Sequence, residues 1–245
     1  MLPCVARYCN MAELRAMPPI TIGPVDLLPF GQRWTALGQC LSRTPPHSSA
    51  QLGQLLDAAV GRALAEMLGG VPIVLPNGRN LLPSVKDCVE VGAVLVIGGI
   101  RPQQFDVGYR PDGVRFAFDS KTLNDTKSVK KNWQNMINDL ATEAATVHSR
   151  FPHAVVAFMI AIPSPCLGPR QQSAIVGRLE GLAKREGVAD PPYMAEAISL
   201  VVWDPATGLL EPGVPDAASP LRLEGFSQQV EAAYGTRYKG LPPHA

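Results

Sequence analysis

The 245-residue chain carries 22 Lys and Arg against 21 Asp and Glu, a formal net charge of +1, with 46% hydrophobic and 18% charged residues. That balance excludes a disordered chain and supplies no overall basic field of the kind that advertises nucleic-acid binding, although a local basic face can still do that work. The five cysteines (Cys4, Cys9, Cys40, Cys88 and Cys166) are scattered without a Cys-x-x-Cys pair, which argues against a disulfide scaffold or zinc site and for a reducing, cytoplasmic setting. No apolar run reaches the roughly 18 residues of a membrane span, and Met1 to Asn10 lacks the apolar centre of a signal peptide.

Residues 1–50 are Pro-rich and read as an irregular N-terminal embellishment, with a short helix around Trp34 to Leu41 and a loop from Thr44 to Ser49. Ser49 is placed to cap a helix running to Leu68, whose apolar stripe is Leu52, Leu56, Val60 and Leu64 and whose end is marked by Gly69-Gly70. An Asn77-Gly78 turn follows, then a short helix from Pro83 to Glu90 and an apolar strand from Ala93 to Ile97. Phe105–Tyr109 and Val114–Ser120 read as two strands joined by Arg110-Pro111-Asp112-Gly113, where Pro presets φ and Gly accepts positive φ. Thr126 to Ser149 is the clearest helix, with Val129, Trp133, Met136, Leu140, Ala144 and Val147 in one stripe. Ala154 to Ile162 is continuously apolar and so predicts a buried central strand. A basic amphipathic helix around Gln171 to Glu186, a strand from Ile198 to Trp203, a helix from Phe226 to Tyr234 and a frayed end from Leu241 to Ala245 complete the order. The expected fold is α/β, a mixed central sheet flanked by helices, in a single domain spanning 1–245.

The chemistry concentrates in the hairpin. Residues two apart on a strand share a face, so Asp119 and Lys121 point one way and Phe116, Phe118 and Ser120 the other. If Arg110 faces Gly113, Asp106 lies opposite Ala117 and diagonal to Asp119, about 7–8 Å away. Two carboxylates at that separation can share one Mg²⁺, an ion that takes oxygen ligands and keeps several waters. Lys121 then adds a fixed positive charge beside it.

This constellation resembles the PD-(D/E)xK nuclease superfamily, to which many type II restriction endonucleases belong. The resemblance implies a restriction-endonuclease-like core in which Asp106 is the first acid, Asp119 the second and Lys121 the lysine that orients the attacking water or steadies the phosphate. It also implies the backbone carbonyl of Ser120 as a further metal ligand. Phe105 stands where the family name has Pro. The literal Pro111-Asp112 falls in the turn, and the second Asp-x-Lys, Asp125-Thr126-Lys127, opens a helix, where Asp125 serves as an N-cap.

Glu66, on the helix before the sheet, is a candidate third acid, and Glu90 a weaker one. Lys127, Lys130 and Lys131 cluster at the start of the following helix as candidate phosphate contacts, with Gln134 as a nucleic-acid-binding position by analogy with relatives. His148 sits near a helix C-terminus, while His47, His153 and His244 have no partners at a useful spacing. Neither a GxxxxGKS phosphate loop nor Gly-x-Ser-x-Gly is present. The expectation is a Mg²⁺-dependent endonuclease acting on double-stranded DNA as a homodimer without a membrane partner, best matched by a type II restriction enzyme. A repair or mobile-element nuclease with the same core, or a non-catalytic DNA-binding module, are the alternatives.

Overall fold

The computed structural model describes residues 13–41, 48–77 and 81–244. Cys4, Cys9, His47, most of the Thr44–Ser49 loop and Gly78 of the expected turn lie outside the described residues. The fold is α/β: a six-stranded mixed sheet flanked by helices, with strands in sequence order across the sheet. The strands are β1 (Ile73–Val74), β2 (Val89–Ile97), β3 (Pro102–Tyr109), β4 (Phe116–Thr122), β5 (Val155–Pro163) and β6 (Ala197–Trp203). β1 and β2 run parallel, β2, β3 and β4 form an antiparallel meander, and β4, β5 and β6 are parallel. All residues of β5 and β6 are buried, as the unbroken apolar run predicts for strands covered on both faces.

Among the described residues the α-helices are α1 (Pro24–Ala36), α2 (Ser48–Met67), α3 (Thr126–His148), α4 (Pro169–Leu182) and α5 (Leu223–Tyr238); α2, α3, α4 and α5 pack on the sheet and α1 packs on α2. One face of β4 meets α2 and α5. Phe118 stacks edge-on to Phe226 of α5 at 6.2 Å, and the Ser120 hydroxyl lies against Gly53 of α2. The other face meets α3, which Lys121 reaches through Glu143. Phe105, Phe116 and Phe118 are all buried, each worth about 1.5–3 kcal/mol by removal from water. Among the described residues no helix is long and apolar enough to cross a membrane.

Several boundaries differ from the sequence expectation. The stretch read as irregular holds α1, which begins at Pro24 rather than near Trp34; Pro at the first helical position loses no hydrogen bond and is preset for the helix. Met17, Ile20 and Ile22 bury into the core, with Arg15 N–H donating to Met67 O at 2.8 Å and Met17 N–H to Glu231 Oε2 at 2.9 Å. The expected Pro83–Glu90 helix does not form. Asp87 adopts φ 59°, which a right-handed helix cannot contain, and its carboxylate accepts from the Tyr109 hydroxyl at 2.5 Å. The end expected to fray is tied down instead: buried His244 lies 3.1 Å from the Tyr109 hydroxyl and 3.0 Å from that of Tyr234. His148 is also buried, 2.9 Å from Pro192 O and 3.3 Å from Glu196, whose carboxylate accepts from Arg185 and Arg237.

Candidate metal and nuclease centre

The hairpin register is two residues from the one expected. Tyr109 pairs with Phe116, Gly108 with Ala117 and Val107 with Phe118. The link runs from Arg110 to Arg115, because Arg115 N–H donates to Tyr109 O at 3.0 Å and its guanidinium grips Asp112 at 2.8 Å. The paired register ends at Val107–Phe118, and just beyond it Asp106 and Asp119 come together as neighbouring acids. The two carboxyls lie close enough to shift each other's titration, and Asp106 Oδ2 accepts from the Ser120 N–H at 2.9 Å and its hydroxyl at 3.3 Å. Lys121, two residues on from Asp119, donates to that carboxylate and to Glu143 Oε1 at 3.0 Å.

Two helices add acids. On α2, Gly53, Asp57 and Gly61 are spaced by four and so form one row along the helix. A Cβ on Gly53 would sit 3.2 Å from the Ser120 hydroxyl and one on Gly61 2.4 Å from Val91, so this row is the line of closest approach to the sheet. Asp57, between them and 7% exposed, lies beside Ser120 and Asp106. On α3, Glu143 is 3% exposed and also accepts from Gln103 Nε2 of β3 at 3.2 Å. Asp57 Oδ1 and Glu143 Oε2 are buried with no hydrogen-bond partner among the described residues.

Burial sets the electrostatics. Desolvation, reinforced for Asp106 by Asp119 and for Asp57 by the Asp106 charge, pushes both of these carboxyls up to about 7. Asp119 is raised to about 6, again chiefly by burial, with the neighbouring Asp106 carboxyl and the Lys121 charge pulling the other way. Lys121 is buried enough to resist protonation, yet Asp119 and Glu143 together hold its ammonium firmly charged, above the ordinary lysine value. The cluster is therefore rich in carboxyl oxygen and retains protons that ordinary carboxylates would have lost. Its donors are hard oxygens, which suits Mg²⁺ or Ca²⁺ rather than a soft metal. Among the described residues no group of three His, Cys, Asp or Glu converges as a complete ligand set, so a cation here would take its remaining ligands from elsewhere.

The remaining sequence candidates fall apart into separate places. Glu66 is exposed, nine residues beyond Asp57 and so roughly 14 Å further along α2; the acid that this helix brings to the hairpin is Asp57. Glu90 is fully buried in a bidentate pair with Arg110 at 2.7 and 2.8 Å and belongs to the core. Asp112 stays in the loop on Arg115, and Asp125 caps α3 by accepting from Ser128 N–H at 2.8 Å. Lys127, Lys130, Lys131 and Gln134 are exposed on the first turns of α3. Lys127 and Lys131 line a cleft of about 510 Å³ with Gln39, Thr126 and Asn132. Asp57 and Glu143 were not among the sequence candidates. The traces they leave are small residues four positions either side of Asp57, and an acid lodged between buried Leu140 and Val147.

No family model matches this chain, and no curated protein or solved structure matches it.

Proposed function

We propose that this protein is a Mg²⁺-dependent endonuclease that hydrolyses phosphodiester bonds of double-stranded DNA, acting at a specific site as a type II restriction enzyme does. The observation that carries this reading is the neighbouring pair of acids Asp106 and Asp119, with the Lys121 ammonium bonded to Asp119. Asp106 and Asp119, with the backbone carbonyl of Ser120, would hold the cation. Mg²⁺ is commonly bound through one or two carboxylates plus substrate phosphate and water, so an open two-acid site suits it. Such an ion supplies an activated water and Lewis-acid neutralisation of the phosphate.

The chain's own groups do the rest. Lys121 presents a fixed ammonium to the attacking water or to a phosphate oxygen, where developing negative charge is steadied without reorganisation. Asp119 and Glu143 keep that ammonium charged. Ser120 orients Asp106 through its N–H. Lys127, Lys130, Lys131 and Gln134 offer contacts to flanking phosphates at the start of α3. A symmetric dimer would present two such centres to the two strands of a palindrome.

The test is incubation of plasmid DNA with purified protein and Mg²⁺. Discrete fragments are expected. A smear or nick assigns the same chemistry to a nonspecific repair or mobile-element nuclease. A mobility shift without cutting refutes catalysis and leaves a DNA-binding module.

A further inference from the structure

We infer that Glu143 is a positioning residue for Lys121, dividing the ammonium between itself and Asp119; the inference rests on the nuclease reading of that lysine. Lys121 has two carboxylate partners, and only one of them, Asp119, belongs to the Asp106–Asp119 pair. A lysine bonded to Asp119 alone occupies the same carboxylate that a cation needs. Glu143 gives the ammonium a second anchor that does not compete with that role. The anchor is rigid. Glu143 is 3% exposed, and its Oε1 also accepts from Gln103. The helix that carries it is clamped at both ends. Asp125 caps the start of α3, and near its end Thr146 O accepts from Gly99 N–H at 2.9 Å. That clamp needs the backbone at close range, since a Cβ on Gly98 would lie 2.3 Å from Thr146 O.

The orphaned Glu143 Oε2 is the second indication. Leaving a buried carboxylate oxygen unpaired is unfavourable, so the fixed place of Glu143 depends on the bonds its other oxygen makes. Its Oε1 is shared between Lys121 and Gln103.

The test is a double-mutant cycle of wild type, Glu143→Gln, Lys121→Met and the double variant. Each is measured for single-turnover cleavage in Mg²⁺ at saturating DNA, for DNA affinity in Ca²⁺, and for thermal midpoint. Glu143→Gln is expected to lower the cleavage rate by about 10–100-fold, the usual range for a residue supporting a catalytic group, with DNA affinity unchanged. In the Lys121→Met background the same change should cost nothing further. The thermal midpoint should fall in Lys121→Met, which strands a buried carboxylate, and recover when Glu143→Gln is added. Equal losses in both backgrounds overturn the inference. If Glu143→Gln does not fold, Glu143→Asp replaces it: a loss confined to the Lys121 background supports the positioning role, and an equal loss in both overturns it. If wild type cuts no DNA, the nuclease reading fails on its own, and the midpoints still decide the pairing, recovery supporting it and additivity overturning it.

Discussion

Raising the pH from 5 to 7 in a chelating buffer should lower the stability of this protein, whereas surface carboxylates would leave it flat over that range. Asp57 and Asp106 hold their protons to about pH 7 and Asp119 to about pH 6, against 3.8 for the same group in an unfolded chain. The folded state therefore binds more protons than the unfolded state between these limits. Linkage fixes the sign: stability is highest below the unfolded value and falls as pH rises towards the folded values. Because the acids are coupled, the cluster is counted as one proton. The slope is then about 1.4 kcal/mol per pH unit, or about 3 kcal/mol between pH 5 and 7. For a chain of this length that is a fall of about 6–12 °C in thermal midpoint. The assay is a thermal melt from pH 5 to 8.5 in chelator, repeated with excess Ca²⁺ and with Asp106→Asn. Below pH 5 other acids held low by arginines, Asp112 and Glu224 among them, would begin to protonate and confuse the trend. Ca²⁺ at about 100 times its dissociation constant should return about 2.7 kcal/mol at pH 8 and flatten the slope. Buried His244, whose pKa is lowered by desolvation, adds stability as pH rises and opposes this trend equally in both proteins, so the deciding comparison is with Asp106→Asn: a pH 5–7 slope the substitution leaves unchanged would refute the reasoning.

Three further outcomes follow from the same geometry. Asp119→Asn should abolish cleavage in Mg²⁺ while DNA binding in Ca²⁺ stays measurable by mobility shift. Asp112→Asn and Asp125→Asn should keep cutting in a plasmid assay, since one acid sits in the hairpin loop on Arg115 and the other caps α3; Asp125→Asn should cost at most about 0.5–2 kcal/mol in a denaturant titration. Lys127→Ala and Lys131→Ala should each weaken DNA binding and reduce the log–log salt slope by about one unit per lost phosphate contact; an unchanged slope would make that end of α3 a solvated face.

The parts of the fold that the sequence makes legible are those decided by local pattern. The apolar run at 154–162 becomes β5 with every residue buried, and the stripe from Val129 to Val147 becomes α3 within one residue of its expected end. The alternation at Phe116, Phe118 and Ser120 against Asp119 and Lys121 puts Phe118 on α5 and turns Lys121 towards α3, as the period-2 argument requires. What the pattern misreads is decided by distant partners. Residues 13–23 have no periodicity, and their burial comes from the end of α2 and from Glu231 on α5. His244 looks like a frayed tail until Tyr109 and Tyr234 are brought beside it.

The same division runs through the candidate centre. Asp106 and Asp119 are only thirteen residues apart on paired strands, so a hairpin argument brings them together even with the register misjudged by two. That error was itself local, since Arg115 reaches back to Asp112 and lengthens the loop. Asp57 lies 49 residues before Asp106, on a helix whose rotation is settled only when it packs. Sorting α2 by hydrophobicity selects Leu52, Leu56, Val60 and Leu64 and passes over the adjacent Gly53–Asp57–Gly61 row. Yet it is the small residues that decide where a helix can approach a sheet most closely, as the Gly61 contact with Val91 demonstrates. An acid between two glycines at four-residue spacing is therefore carried into the sheet rather than away from it. Glu143 follows by the complementary route: with Leu140 and Val147 fully buried on the same face, its carboxylate has no path to solvent and must meet a cation from the sheet. Lys121 is that cation.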